Sequence, residues 1–275
     1  MARLRWGVEV NKFPRFEEYP RESIANSESA LLTVWPTLER YQDDLVLVGG
    51  LAVHYVTRRE TSSAVTLDVD FGISLAASGG QYGTIKMDLA GLGFRNKDGR
   101  MVRAHQNTNL YLDFLTEDPP ATIGGRVVDD ITASVCPGIN RALACRRRVR
   151  ISGTDIYGVK QNCEVWVAGI GPLLVLKLNA FGGPIGRKLP KDAYDFLLLV
   201  TSYVDGPREA IQAFRAERNS GNTGFEHAVK ALETYFVNED RDGAIRAADF
   251  HPSGNDQRDR IRQDVVTAAR LLLEG

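Results

Sequence analysis

Residues 46–73 read VLVGGLAVHYVTRRETSSAVTLDVDFGI, and the reading of the fold turns on the TLDVD at 66–70. Side chains of a strand alternate between faces with period two, so Asp68 and Asp70 leave the same face, a few ångströms apart. Carboxylates held that close repel unless a protein cation or a bound metal compensates them, or one stays protonated. The residues before them are patterned too. DLVLVGG is a short apolar run ended by paired glycines, which predicts a buried strand entering a tight turn. Leu51 to Arg59 then reads as a short helix with Arg58 and Arg59 in its last turn, where the helix dipole favours cations.

Working outward, residues 21–41 carry apolar positions at helical spacing and predict one or two helices, kinked or split at Pro36. Ala64 to Leu75 is the strand bearing the two aspartates, and Tyr82 to Leu92 an amphipathic helix stopped by Gly91 and Gly93. NLYLDFL alternates well enough for a strand with Asp113 near its end, so a third carboxylate arrives on a neighbouring element. Residues 126–168 read as short strands and turns: GRVVDDITASV, RRRVRISG, TDIYGV and CEVWVAG. Beyond Gly171-Pro172 the pattern turns helical. LLVLKLNAF has a proline in its first turn and Gly182-Gly183-Pro184 as its stop, Pro190 to Tyr203 repeats the design, and the chain from Gly206 reads as several helices with loops at RNSGNTG and FHPSGND.

The bulk properties narrow the field. A chain of 275 residues, 43% hydrophobic and 25% charged, has the composition of an ordinary globular protein with room for two lobes. The formal net charge of −1 gives no global positive field for nucleic acid, so such a partner must meet a local patch. Residues 141–150 offer one, with Arg141, Arg146, Arg147, Arg148 and Arg150, although a plain solvated basic face explains them equally well. Cys136, Cys145 and Cys163 are odd in number, form no C-x-x-C pair and sit among apolar neighbours, which predicts buried reduced thiols and a cytoplasmic protein. No run approaches the ~20 apolar residues of a membrane span, and the N-terminus lacks an apolar stretch of signal-peptide length. His54, His105, His227 and His251 show no metal-ligand spacing, and no G-x-S-x-G, Walker A or G-x-G-x-x-G occurs.

Two further sites stand out on chemistry alone. Lys177 lies in an otherwise apolar helical stretch, which is costly unless it pairs with an anion or snorkels to solvent. In Arg187-Lys-Leu-Pro-Lys-Asp-Ala-Tyr-Asp195, Pro190 opens a helix and places Lys191 at the positive end of its dipole, where a cation needs a nearby anion. Asp192 suits a helix start, and Asp195 lies one turn beyond Lys191, so an ordinary i,i+4 pair competes with a functional reading.

In this order the motifs VGG…TLDVD…YLDF resemble the nucleotidyltransferase superfamily of DNA polymerase β. More closely, GGLAVHYVTRR…TLDVDF followed by LLVLKLNAF…GRKLPKDAYDFLLL is similar to the AbiEii and MenT group of nucleotidyltransferase toxins; the likeness spans roughly residues 45–200. It implies an α/β (α+β) fold: a nucleotidyltransferase core with a mixed sheet and N-terminal helices over residues 1–168, then a mainly helical domain over 169–275 that completes the nucleotide cleft. It implies Mg²⁺ or Mn²⁺ on Asp68, Asp70 and Asp113, a nucleoside triphosphate on Gly49, Gly50, Thr66, Arg187, Lys191 and Asp192, and catalytic roles for the three acids with Lys177 and Asp195. It further implies the 3′ end of tRNA as acceptor, a toxin activity that blocks translation, and a neutralising antitoxin as partner.

Nucleotidyl transfer is an in-line displacement at the α-phosphorus, and metal ions clamping the attacking and leaving oxygens need hard oxygen ligands such as these. The chain also departs from the pattern. Gly50 is often Ser in the family, and Leu51 replaces a frequent Ser or Thr, so a phosphate cradle here relies on backbone donors. Seventeen residues separate Gly50 from Asp68, a few more than usual, with the excess placed in ETSSAVT. Thr66 shares the face of Asp68 and can bond a phosphate or the neighbouring strand. Transfer to a small molecule or a protein side chain, or a non-catalytic nucleotide-binding module, are the alternatives.

Overall fold

The computed structural model describes residues 13–58, 63–74, 85–106, 108–117, 123–128, 131–253 and 257–274. A 3₁₀ turn at Phe16–Glu18 leads into α1 (Ser23–Leu38), a single helix that runs through Pro36 and passes into a second 3₁₀ turn, Glu39–Asp44. Then come β1 (Leu45–Val48), α2 (Gly49–Val56) and β2 (Asp68–Ile73). The two glycines are themselves the first turn of α2. The helix stops before the arginines: Thr57 bridges Tyr203 and the Arg58 amide donates to the Ser202 carbonyl, so Arg58 is an extended residue rather than a helix-end cation. Arg59 lies outside the described residues, as do 82–84, which the sequence places in the helix observed as α3 (Ile85–Gly91).

A short hairpin, β3 (Arg95–Lys97) and β4 (Arg100–His105), precedes β5 (Thr108–Thr116). Sequence reasoning finds β5 but not the two antiparallel strands of the hairpin before it. After β6 (Arg126–Val128) and β7 (Thr132–Val135) comes α4 (Ile139–Ala144), also missed, and then a long hairpin of β8 (Arg146–Thr154) and β9 (Lys160–Ala168). TDIYGV is not a strand: its residues mostly form the turn of this hairpin, where the Asp155 carboxylate accepts the amides of Tyr157 and Val159.

The described strands form one mixed sheet in the order β3-β4-β5-β2-β1-β9-β8, with β7 beside β5 and β6 beside β7. β2 runs antiparallel to β1 and parallel to β5, and its register sets Asp70 against Asp113 and Asp68 against Tyr111. On one edge β5 changes partner. It pairs with β4 up to Leu112 and with β7 from Phe114, so Asp113 sits at the seam. The alternation of β2 assigns its two faces. Phe71 turns to the core, stacked between Trp35 of α1 and Phe114, while Asp68, Asp70 and Gly72 point to the other face, where Ile139 of α4 abuts Gly72.

The helices α5 (Ile170–Gly182), α6 (Pro190–Thr201), α7 (Pro207–Ala216), α8 (Phe225–Tyr235), α9 (Asp242–Phe250) and α10 (Arg258–Leu273) form a lobe with its own aromatic centre, Phe196 and Phe181 against Phe236. The buried apolar residues of sheet and lobe are continuous. Burying these side chains is the main stabilising term, at about 25 cal/mol per Å² of apolar surface. Among the described residues no helix is long and apolar enough to cross a membrane.

Candidate functional site

Asp68, Asp70 and Asp113 come together as the register requires: one carboxylate oxygen from each lies within 4.8 Å of the others. Among the described residues no histidine or cysteine joins them, and an all-oxygen donor set suits a hard divalent cation. The Thr66 hydroxyl donates to Asp68 Oδ1 at 2.7 Å, so Thr66 holds the first carboxylate rather than bonding the neighbouring strand.

Gly49 and Gly50 are glycines for a spatial reason. Gly49 has φ +70°, and a Cβ there would stand 1.8 Å from Asp70 Oδ2. A Cβ on Gly50 would lie 2.7 Å from Thr66 Oγ1 and 2.9 Å from Lys191 Nζ. The helix N-terminus is thus pressed between the carboxylates and the first turn of α6, and a serine at position 50 would have no room.

The helical lobe supplies the opposite wall. Lys177 Nζ lies 2.7 Å and Lys191 Nζ 2.6 Å from the same oxygen, Asp195 Oδ2, and all three residues are buried. Lys177 also reaches Asp192 Oδ1 at 3.6 Å, and Arg187 Nη2 lies 3.3 Å from Asp192 Oδ2. Lys177 therefore does not snorkel, and Lys191 makes the i,i+4 pair expected of it. Burial disfavours charge on Lys191, but Asp195, Asp192 and Asp68 outweigh it and its pKa is raised. Burial likewise opposes charge on Arg187, and Asp192, Asp68 and Asp70 more than offset it. The first turn of α2 joins the two groups, since a Cβ on Gly50 would meet both Thr66, which holds Asp68, and Lys191. Asp195 Oδ1 is buried with no hydrogen-bond partner among the described residues. Such an atom is costly unless a group from outside completes it.

Two residues of the site escape the sequence reading. Arg100, at the start of β4, donates from Nε to Asp113 Oδ1 at 2.5 Å and from Nη2 to Asp113 Oδ2, and Nη2 also lies 3.3 Å from Asp68 Oδ2. Its guanidinium stacks on the Tyr111 ring at 4.5 Å. The signal was there to find, since the register that pairs His105 with Thr108 sets position 100 opposite 113 and opposite charges favour such cross-strand pairs. The second is Tyr19, whose buried hydroxyl has no partner among the described residues; burial and then Asp195 and Asp68 push its pKa up.

The arginine cluster splits. Arg141 forks onto buried Glu217, and Arg146 caps the carbonyls of Gln42 and Leu45 while stacking on Trp166, so both are structural. Arg147 pairs with Asp205 on the other face of β8. Arg148 and Arg150 are exposed and share Glu164 at 3.3 and 3.4 Å. The cysteines are free but only half-buried, a correction to the expectation of buried thiols. Burial raises the Cys136 thiol to about 12 and the Cys163 thiol to about 11.

No family model matches the sequence, and no curated protein is significantly similar to it. Among solved structures, the chain is similar to an antigenic nucleotidyltransferase-like protein from Paracoccidioides brasiliensis, with 12% identity over 76% of this chain and 94% of that chain and a TM-score of 0.35. A value so low marks a loose likeness of overall shape, and the chemistry of the site stands on its own residues.

Proposed function

We propose that this chain is a divalent-metal-dependent nucleotidyltransferase that adds nucleotides from a nucleoside triphosphate to the 3′ end of tRNA, acting as a toxin that blocks translation. The observation that carries the reading is the convergence of Asp68, Asp70 and Asp113 within 4.8 Å beside a glycine pair that tolerates no Cβ. The all-oxygen set fits Mg²⁺ or Mn²⁺, which on these three carboxylates would neutralise phosphate charge and lower the pKa of the attacking hydroxyl.

The roles of the chain's own residues follow from where they lie. Backbone N–H groups of Gly49 and Gly50 open α2 and offer donors to the triphosphate. Lys177 and Lys191, fixed by their shared carboxylate, and Arg187 above Asp192 supply positive charge for the β- and γ-phosphates as pyrophosphate departs. Asp195 acts by holding both lysines, and Asp192 by holding Arg187. The acceptor hydroxyl forms its bond to the α-phosphorus as the bond to the bridging oxygen breaks, in line, and pyrophosphate leaves. The division into a core over residues 1–168 and a helical domain over 169–275, with the nucleotide between them, belongs to this proposal. So do the cognate antitoxin and the docking of tRNA phosphates on Arg148 and Arg150, the exposed pair of the cluster.

The test is transfer from an α-labelled nucleoside triphosphate with Mg²⁺ and total tRNA, followed by sequencing of the RNA 3′ ends. Added nucleotides at tRNA 3′ ends, abolished by chelator, are the expected result. Label on protein alone would overturn the acceptor, and nucleotide binding without turnover would overturn the enzyme. Expression should arrest growth, and Asp68→Ala should relieve it.

A further inference from the structure

Arg100 occupies an unusual position for a cation. Its fork takes both oxygens of Asp113, reaches Asp68, and is braced from below by the Tyr111 ring, with its side chain only 17% exposed. Burial opposes its charge, yet Asp113, Asp68 and Asp70 raise its pKa. The guanidinium therefore does for the triad what a metal ion would do, partly neutralising three clustered carboxylates with donors aimed at their oxygens. A divalent cation drawn to the same oxygens would stand within a few ångströms of it, and like charges that close in a half-buried site repel strongly.

We infer that Arg100 is an internal competitor for the metal: it holds the triad assembled without an ion, and it must surrender Asp113 before that carboxylate can ligate one. The inference rests on reading the triad as a metal site, and it adds a residue that sets the affinity of that site. The fold gives the arginine somewhere to go. Arg100 directly follows the Asp98-Gly99 turn, where both residues have positive φ (54° and 84°) as a two-residue hairpin turn requires, and the β3 side chains of that hairpin are exposed. Arg100 and Asp113 lie just beyond the last β4–β5 pair, Met101 with Leu112, at the seam where β5 changes partner, so a swing of the Arg100 side chain withdraws the fork while the β4–β5 ladder and the pairing of β5 with β2 stay intact. A protein whose triad is open only part of the time binds metal more weakly in proportion to that fraction. The metal-free site is thereby kept both assembled and closed.

The experiment is Mn²⁺ binding to the full chain without nucleotide, followed by electron paramagnetic resonance, for the wild type, Arg100→Gln and Arg100→Lys. The inference expects the Mn²⁺ dissociation constant to fall at least about tenfold in Arg100→Gln, as for a site freed from a competitor that holds it nine-tenths of the time. Arg100→Lys, which keeps the charge but loses the fork, should fall in between. A residue that merely braced Asp113 would give the opposite sign, so equal or weaker binding in Arg100→Gln overturns the inference. If Arg100→Gln folds only when Mn²⁺ is added, the ion is replacing the guanidinium and the inference is supported; if it folds in neither condition, the Arg100→Lys affinity decides by the same criterion. Failure of all three proteins to bind Mn²⁺ would overturn the metal reading itself along with this inference, whereas equal binding by all three would overturn the inference alone.

Discussion

The sheet side and the helical side of the site carry charge by different means. On the sheet, three carboxylates face one guanidinium, held apart and aimed by strand register. In the lobe, three cations face two carboxylates, and the lysines converge on a single buried oxygen. Negative charge is thus in excess on one side and positive charge on the other, and the proposed metal-bound triphosphate would complement both. The contrast also separates roles. Asp70, which Arg100 does not grip, can be neutralised with little cost to folding, because its strand is pinned by backbone pairing and by Phe71 behind it. Removing a carboxylate from the lobe leaves buried ammonium groups unpaired.

Substitutions can break this contrast. Asp70→Asn should reduce nucleotide transfer by about 10³-fold or more, the scale of losing a directly ligating group, while leaving the melting temperature close to that of the wild type. Asp195→Ala should instead appear first in stability, with a loss of about 3–5 kcal/mol in denaturant titration as Lys177 and Lys191 lose their shared anion. If the two variants behaved alike in both measurements, the division of roles would be wrong. Gly49→Ala tests how tightly α2 is seated on the carboxylates: a Cβ at φ +70°, 1.8 Å from Asp70 Oδ2, should cost about 1–3 kcal/mol and displace that carboxylate, so activity falls further than stability alone explains. The smallest effect belongs to the exposed hairpin. Arg148→Gln with Arg150→Gln should shift stability by no more than ~0.5 kcal/mol. The same pair should flatten the salt dependence of tRNA binding by about two charges' worth of slope.

Much of the carboxylate wall was legible in the chain, because period-two alternation and a D-x-D need no tertiary information. Asp113 could be matched to it through an alternating run, and Lys177 and Lys191 stood out as cations where local physics disfavours them. What local patterning could not deliver was pairing across distance. Arg100 is set against Asp113 only by the pairing of β4 with β5. The glycine pair read as a turn, and it takes the folded chain, with Thr66 of the neighbouring segment and Lys191 of α6 both pressed against it, to show why position 50 has no side chain. The arginine run misled in the opposite direction: five charges adjacent in sequence scatter to both faces of β8 and to Glu217, and only two stay exposed on one hairpin face.

The central claim is that Asp68, Asp70 and Asp113 jointly ligate divalent metal beside a triphosphate. The most direct measurement is a crystal of the protein grown with Mn²⁺ and a non-hydrolysable nucleoside triphosphate, examined by anomalous scattering. The account predicts manganese peaks at about 2 Å from oxygens of all three carboxylates, with the Arg100 fork withdrawn from Asp113. Nucleotide bound elsewhere, or no manganese at the triad under those conditions, would contradict it.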